Sequence, residues 1–278
     1  MEPSKIRTNV WVVERGGVRS RSDQLATEEP LEIRLTHPRR TVAITMRTPG
    51  ADFELAAGFL YSEGVIQHRE DIDRIRYCVD PETDGQQRYN IVNVELREGL
   101  APDLQPLERH FYTTSACGVC GKTSLDALRI RSEKIPVAQL AVPAAVLYAL
   151  PAQLQKAQGL FQATGGLHAA ALFDHQGQLQ MLQEDVGRHN ALDKLVGAAL
   201  LAGNLPLSEQ IVMVSGRASF EIMQKCLAAR VPIVCAVSAP SSLAVALARE
   251  FGMTLIGFLR GERFNVYAGA ERIAGIQR

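Results

Sequence analysis

Apolar and polar residues alternate at Leu31-Glu32-Ile33-Arg34-Leu35 and again at Val42-Ala43-Ile44-Thr45-Met46, the period of half-buried strands. His37-Pro38 between the two runs predicts a hairpin. From Asp52 to Tyr61 the apolar residues Phe53, Ala56, Ala57, Phe59 and Leu60 fall at helical spacing, and Gly64 follows where such a helix can end. Val92, Val94 and Leu96 then alternate with Asn93, Glu95 and Arg97 in a further strand, after which Gly99, Pro102 and Pro106 break the pattern. These elements predict a small α+β domain over residues 1–112.

Beyond residue 135 the texture becomes strand-and-helix alternation. The pattern predicts a helix over Ala144–Gln158, a hairpin of His168–Phe173 and Leu179–Leu182 turned at His175-Gln176-Gly177, and a helix over Arg188–Leu201. Strand Ile211–Val214, helix Ala218–Ala229, strand Ile233–Val237, helix Ser241–Phe251, strand Leu255–Phe258 and strand Phe264–Tyr267 follow. The runs Ile211-Val212-Met213-Val214 and Ile233-Val234-Cys235-Ala236-Val237 lack polar alternation, as central strands covered by helices on both faces do. The expected fold class is α/β, with a larger domain over 135–278 joined to the first by a loop and short helix at 113–134.

With 278 residues, 46% of them hydrophobic and 22% charged, the chain can bury ordinary globular cores. Thirty Lys and Arg balance thirty Asp and Glu, so no whole-chain positive field gathers nucleic acid or anionic membrane without specificity. Neither partner is expected. Met1 to Val10 mixes Glu2, Lys5 and Arg7 without the apolar core of a signal peptide, and no stretch of about 18 uninterrupted apolar residues occurs. The expectation is a cytoplasmic protein whose five cysteines are mostly free thiols.

The sharpest chemical signal is Thr113-Thr114-Ser115-Ala116-Cys117-Gly118-Val119-Cys120-Gly121, between the two domains. Two thiols at this spacing can form a short-range disulfide, share a metal, or cooperate as attacking and resolving thiols. Lys122 and a helix beginning near Thr123 favour thiolate, the reactive form. Structural zinc is the bland alternative, but a closed site wants four ligands at paired spacings, and no second C-x-x-C or H-x-x-H exists. No zinc is expected. Cys226 and Cys235 sit in apolar texture and read as core fillers, and a structural role is the default for Cys78. Ala116 through Thr123 is a near miss to a phosphate-binding loop, lacking its first glycine.

A second constellation is Glu184-Asp185-Val186-Gly187-Arg188-His189-Asn190, a strand-to-helix junction at which Asp185 can cap the helix and the first turn can face an anion. The third is Ser215-Gly216-Arg217-Ala218-Ser219, again where a central strand gives way to a helix. Ser238-Ala239-Pro240 and Phe258-Leu259-Arg260-Gly261-Glu262-Arg263 follow two more strands, and ligands of open α/β sheets collect at such ends. Taken singly, each is an ordinary solvated loop.

Cys117-Gly-Val-Cys120-Gly121, Gly166-Leu-His168-Ala-Ala-Ala171, the run Glu184 to Lys194, Ser215-Gly-Arg217-Ala-Ser219 and Val237-Ser-Ala239 together resemble the formate dehydrogenase accessory sulfurtransferases. That resemblance, from about Glu29 to Tyr267, implies a cytoplasmic homodimer that takes sulfur from a cysteine desulfurase and passes it to a molybdenum cofactor. The cofactor is Mo-bis(molybdopterin guanine dinucleotide), sulfurated before formate dehydrogenase is completed. It implies Cys117 as sulfur carrier with Cys120 as partner, and a cofactor-binding stretch over Phe258, Leu259, Arg260, Gly261, Glu262 and Arg263. Arg188, His189, Ser215 and Arg217 complete the expected guanine-nucleotide site. The family usually ends its stretch in Pro-Gly-Arg where this chain has Gly261-Glu262-Arg263, a departure that bears on the backbone contacts rather than on the contact of Arg263.

The family's larger domain resembles the three-layer, mixed-sheet cytidine deaminase fold, which raises a zinc deaminase as a rival. Such a deaminase needs a ligand with Glu two residues on and a later P-C-x-x-C, whereas His189 is followed by Asn190 and Ala191, and Arg217-Ala-Ser219 replaces the cysteines. Two more rivals are a non-catalytic cofactor chaperone with structural thiols and a thiol–disulfide oxidoreductase. The oxidoreductase is disfavoured because the pair does not open a thioredoxin-like helix.

Overall fold

A computed structural model describes residues 3–80, 83–85, 87–104, 128, 132–136 and 140–276. The chain begins with a two-stranded antiparallel ribbon, β1 (Lys5–Glu14) and β2 (Gly17–Ala26), in register from Lys5↔Ala26 to Glu14↔Gly17. A four-stranded sheet follows, formed by β3 (Glu29–Thr36), β4 (Arg39–Arg47), β5 (Ile72–Tyr77) and β6 (Ile91–Leu96) in the order β4-β3-β6-β5. The alternation of β3 sends Leu31, Ile33 and Leu35 inward with Val92 and Val94 of β6. Helix α1 (Asp52–Ser62) covers that face with Leu55, Ala56, Ala57 and Leu60, and this apolar burial holds the helix to the sheet.

The larger sheet has six strands in the order β13-β12-β11-β10-β8-β9. They are β8 (His168–Asp174), β9 (Leu179–Asp185), β10 (Gln210–Val214), β11 (Ile233–Ala236), β12 (Thr254–Arg260) and β13 (Arg263–Ala268). Alternate residues of the central strands enter opposite cores. Val212, Val214, Val234 and Ala236 pack under α4 (Arg188–Leu201), α5 (Phe220–Ala228) and α6 (Ser242–Glu250). Ile211, Met213, Ile233 and Cys235 pack under α2 (Ala144–Ala157), which continues into the short α3 (Gly159–Thr164). Helices on both faces explain why these strands carry no polar alternation. A small parallel pair, β7 (Val142–Pro143) with β14 (Ile273–Ala274), borders α2.

The two sheets are joined through α1 and α4, which cross with backbones in contact. A Cβ added at Gly58 would lie 1.9 Å from the Asp193 carbonyl oxygen, and one at Gly197 would lie 1.8 Å from that of Glu54. Around this crossing, Lys225 Nζ donates to Asp193 at 2.8 and 2.9 Å, and Ser62 Oγ donates to Asp193 at 3.1 Å. Tyr61 reaches from α1 to donate to the Ala228 carbonyl at 3.0 Å. All 14 residues of the predicted helix Arg188–Leu201 are present as expected, while β1, β2, β5 and α3 are not anticipated by the hydropathy pattern. No helix among the described residues is long and apolar enough to cross a membrane.

Candidate functional site

Strands β9, β10, β11 and β12 run in one direction, so Asp185, Val214, Ala236 and Arg260 all end at the same edge of the sheet. Antiparallel β8 and β13 bring their first residues, His168 and Arg263, to that edge too. A cleft of about 640 Å³ opens there. It is lined by Leu154, Gln158 and Phe161 from α2 and α3, by Gly165 to His168 leading into β8, and by Ser215, Val237, Leu259, Arg260 and Gly261 at the ends of the other strands. The lining holds no Asp or Glu among the described residues, so it presents apolar surface, amides, a hydroxyl, an imidazole and one guanidinium. This suits a flat ligand with an anionic end.

Ser215, Arg260 and the Phe258 bulge are positioned by their neighbours. Ser215 extends the β8–β10 ladder: its N–H donates to the Ala169 carbonyl at 3.0 Å and its Oγ accepts from the Ala169 N–H at 2.9 Å. Arg260 Nε donates to the Val237 carbonyl at 3.1 Å, which fixes the base of the guanidinium at the mouth of the cleft. Phe258 lies on a bulge with left-handed φ of 54°, its N–H donating to the Ser238 carbonyl at 3.2 Å. The strand can approach Pro240 so closely because residue 257 is glycine, whose added Cβ would sit 2.9 Å from the proline ring. The bulge buries Leu259 against the cleft and turns Phe258 outward. Arg260 and Arg263 face each other in register across the turn that contains Gly261 and Glu262.

His168 is half-buried in the lining of the cleft. Loss of water, followed by the charge of Arg188 and the neighbouring His189, pushes its pKa below the ordinary histidine value, which keeps a neutral imidazole there. Arg188 stands directly behind, its Cδ and the His168 ring both within 4 Å of where a Gly216 Cβ would be. Its Nε is buried and makes no hydrogen bond among the described residues. His189 Nε2 lies 3.2 Å from Ser219 Oγ and 2.9 Å from Glu221, so it is held on the α5 side.

The structure thus brings Ser215, Leu259, Arg260 and Gly261 of the expected site residues into one cleft, with Arg188 adjoining it. Phe258, Glu262 and Arg263 stand on the neighbouring bulge and turn, and exposed Arg217 and partnered His189 stand outside the lining. Cys117 and Cys120, with most of the linking segment, lie outside the described residues. One expectation is corrected. Asp185 does not cap α4, because Gly187 occupies the cap position without a side-chain bond and the Asp185 carboxylate is engaged elsewhere. Its Oδ2 accepts from the Thr48 N–H at 3.1 Å and pairs with Lys194 at 2.6 Å, while Oδ1 holds the Gly187 N–H and Asn190. Sequence reasoning misses Leu154, Gln158 and Phe161, since nothing in the chain's pattern separates them from an ordinary helix end.

The sequence model of the FdhD/NarQ family matches residues 26–274. This chain belongs to the FdhD/NarQ family. It is 54% identical to the sulfur carrier protein FdhD of Streptomyces coelicolor over 96% of this chain and 95% of that one. The FdhD of Mycolicibacterium paratuberculosis is 52% identical over 96% of this chain and 98% of its own. Among solved structures, a putative formate dehydrogenase accessory protein from Desulfotalea psychrophila superposes with a TM-score of 0.74 at 28% identity, covering 98% of this chain and all of that one.

Proposed function

We propose that this protein is a sulfur carrier that loads a persulfide on Cys117 and delivers the sulfur to Mo-bis(molybdopterin guanine dinucleotide) during formate dehydrogenase maturation. The observation that carries the proposal is the match, at about half identity and nearly full length, to proteins named as sulfur carriers. The placement of the remaining thiols supports it. Cys78, Cys226 and Cys235 are buried, and burial pushes the Cys226 thiol up to about 12 and the Cys235 thiol up as well. Cys226 and Cys235, held protonated in the core, are poor nucleophiles, which supports giving the chemistry to Cys117 and Cys120.

In the proposed step the Cys117 thiolate attacks the outer sulfur of a cysteine desulfurase persulfide. A Cys117 persulfide forms and the desulfurase thiolate leaves. Cys120 thiolate then attacks Cys117 Sγ and releases the sulfane sulfur as hydrosulfide toward molybdenum. The resulting Cys117–Cys120 disulfide returns to two thiols at the expense of a cellular thiol reductant. The cleft takes a guanine-nucleotide arm of the cofactor, its diphosphate toward Arg260, Gly261 and Arg263. We read the larger domain as a cytidine-deaminase-like frame turned to sulfur transfer, working in the cytoplasm as a homodimer.

Mass spectrometry of the intact protein after incubation with a cysteine desulfurase and cysteine tests the carrier. Wild type should gain sulfur and Cys117→Ala should not, while Cys226→Ala and Cys235→Ala should load normally although each lowers stability by about 1 kcal/mol. Loading of Cys117→Ala would overturn the assignment.

A further inference from the structure

Gln158 has an environment that its role in the backbone does not explain. It joins two helices, ending α2 and capping α3, and its relative exposure is only 5%. Its backbone is fully engaged, the N–H donating to the Leu154 carbonyl at 3.2 Å and the carbonyl accepting from Gln162 at 3.0 Å. Its side chain makes no capping bond and has no hydrogen-bond partner among the described residues, yet the residue lines the cleft. A primary amide this enclosed carries a donor and an acceptor that folding has stripped of most of their water. Such a group is stabilised by a ligand that returns both bonds.

The surroundings narrow the ligand. Three residues on, Phe161 also lines the cleft, with 37% of its surface exposed, and Leu154 and Leu259 add apolar wall. Glu184 holds this joint by accepting the Leu160 and Phe161 N–H groups at 3.0 and 2.8 Å, so ring and amide share one braced element. An aromatic face beside a buried amide suits a heteroaromatic base better than a sugar or an alkyl chain. We infer that Gln158 is the specificity residue of the cleft, reading the edge of a guanine base that lies against Phe161. The inference rests on the guanine-nucleotide part of the proposed function and deepens it.

The inventory of the amide fixes which edge is read. Guanine offers a carbonyl oxygen beside an N–H on its O6/N1 side, which pairs with one amide donor and one amide acceptor. Its O6/N7 side offers two acceptors and would leave the Gln158 carbonyl unpaired, while its N3/N2–H side, also an acceptor beside a donor, is flanked by the sugar. The base therefore presents O6 and N1–H to Gln158.

Calorimetric titrations with GDP, 1-methyl-GDP and inorganic pyrophosphate test this on the full chain. Wild type should bind GDP about tenfold more tightly than 1-methyl-GDP, the worth of two neutral hydrogen bonds, and this comparison requires no variant. Gln158→Leu should weaken GDP binding to the same extent, abolish the discrimination against 1-methyl-GDP, and leave pyrophosphate binding unchanged. Arg260→Ala should weaken both GDP and pyrophosphate. Unaltered GDP affinity in Gln158→Leu, or a parallel fall in pyrophosphate affinity, would overturn the base-reading role while sparing the guanine-nucleotide site. Failure of the wild type to bind GDP at all would instead remove the site on which the inference rests.

Discussion

The crossing of α1 and α4 allows a demanding test of how the two halves are held. In Gly197→Ala the new methyl begins 1.8 Å from the Glu54 carbonyl oxygen, and its nearest obstacles, Glu54 O, Glu54 C and Gly58 N, are all backbone atoms. No side chain can rotate away. Restoring even a 3.0 Å separation requires the helices to part by about 1.2 Å. A radial gap of 0.5–1 Å already forfeits about a quarter to a half of a dispersion contact, and the loss extends over the whole α1 face. The bond from Ser62 of α1 to Asp193 of α4, which spans the same crossing, must stretch as well. Overpacking a core that can adjust costs about 1–3 kcal/mol, so a backbone-to-backbone clash should exceed about 3 kcal/mol.

Urea unfolding followed by far-ultraviolet circular dichroism is the appropriate measurement, because the sole tryptophan, Trp11, is 74% exposed on the ribbon and is a poor reporter of this joint. Gly159→Ala is the control: no atom lies within 4 Å of its added Cβ, its φ is not positive, and the change should stay within about 0.5 kcal/mol. Gly58→Ala should match Gly197→Ala, and the double variant should cost less than the sum, since helices already parted admit the second methyl. A Gly197→Ala stability equal to that of the control would refute the claim that this contact joins the halves.

Two further outcomes are expected. Lys194→Met strands the buried Asp185 carboxylate and leaves the Thr48 carbonyl, 2.8 Å from Lys194 Nζ in the native chain, without its donor. The loss should be about 3–5 kcal/mol in urea unfolding, and one under about 1 kcal/mol would contradict the buried-pair account. His168 has a lowered folded-state pKa, so between that value and its ordinary 6.5 the unfolded chain binds the extra proton. Its contribution is therefore complete above pH 6.5 and lost as pH falls through that window. Thermal unfolding from pH 8 to 5 should show a shallower acid-side decline in His168→Gln, and an unchanged profile would refute the assignment.

What is legible in the sequence follows from which surfaces are one-sided. The hairpin around His37-Pro38 and helix α1 share a core on one face only, and their periods of two and 3.6 record that. β10 and β11 are buried on both faces and announce themselves as unbroken apolar runs. The ribbon β1–β2 leaves no such trace because Trp11, Val13 and Val18 remain exposed on one face and arginines and serines intersperse the other apolar residues. In β5 a register shift between Ile72 and Arg74 breaks the period of two. The six residues of α3 are too few to display one. In the cleft, Gly261 and the arginines are visible as strand-end residues, but the place of Gln158 depends on α2 and α3 meeting at a bend, and no local pattern encodes that.

The stretch from Glu184 to Lys194 shows how a motif that reads as a ligand site divides its work. Glu184 braces α3, and Asp185 and Lys194 bind both backbone groups of Thr48 from the smaller sheet's side. Asn190 donates to the Met46 carbonyl at 2.7 Å and accepts from Thr45. Asp193 receives Lys225 and Ser62 at the helix crossing. Only Arg188 and His189 remain on the side of the strand ends. Most of the motif is therefore a joint, and its charges are buried because each has a partner there, not because a substrate needs them. The same joint sets the edge of the cleft, since α4 starts where β9 ends, beside His168 and Gly216. A substitution at Asn190 or Asp193 that lowers activity should thus be tested for a shift in stability before it is assigned a role in ligand binding, whereas a loss in Arg188 or Gln158 variants at unchanged stability points to the cleft itself.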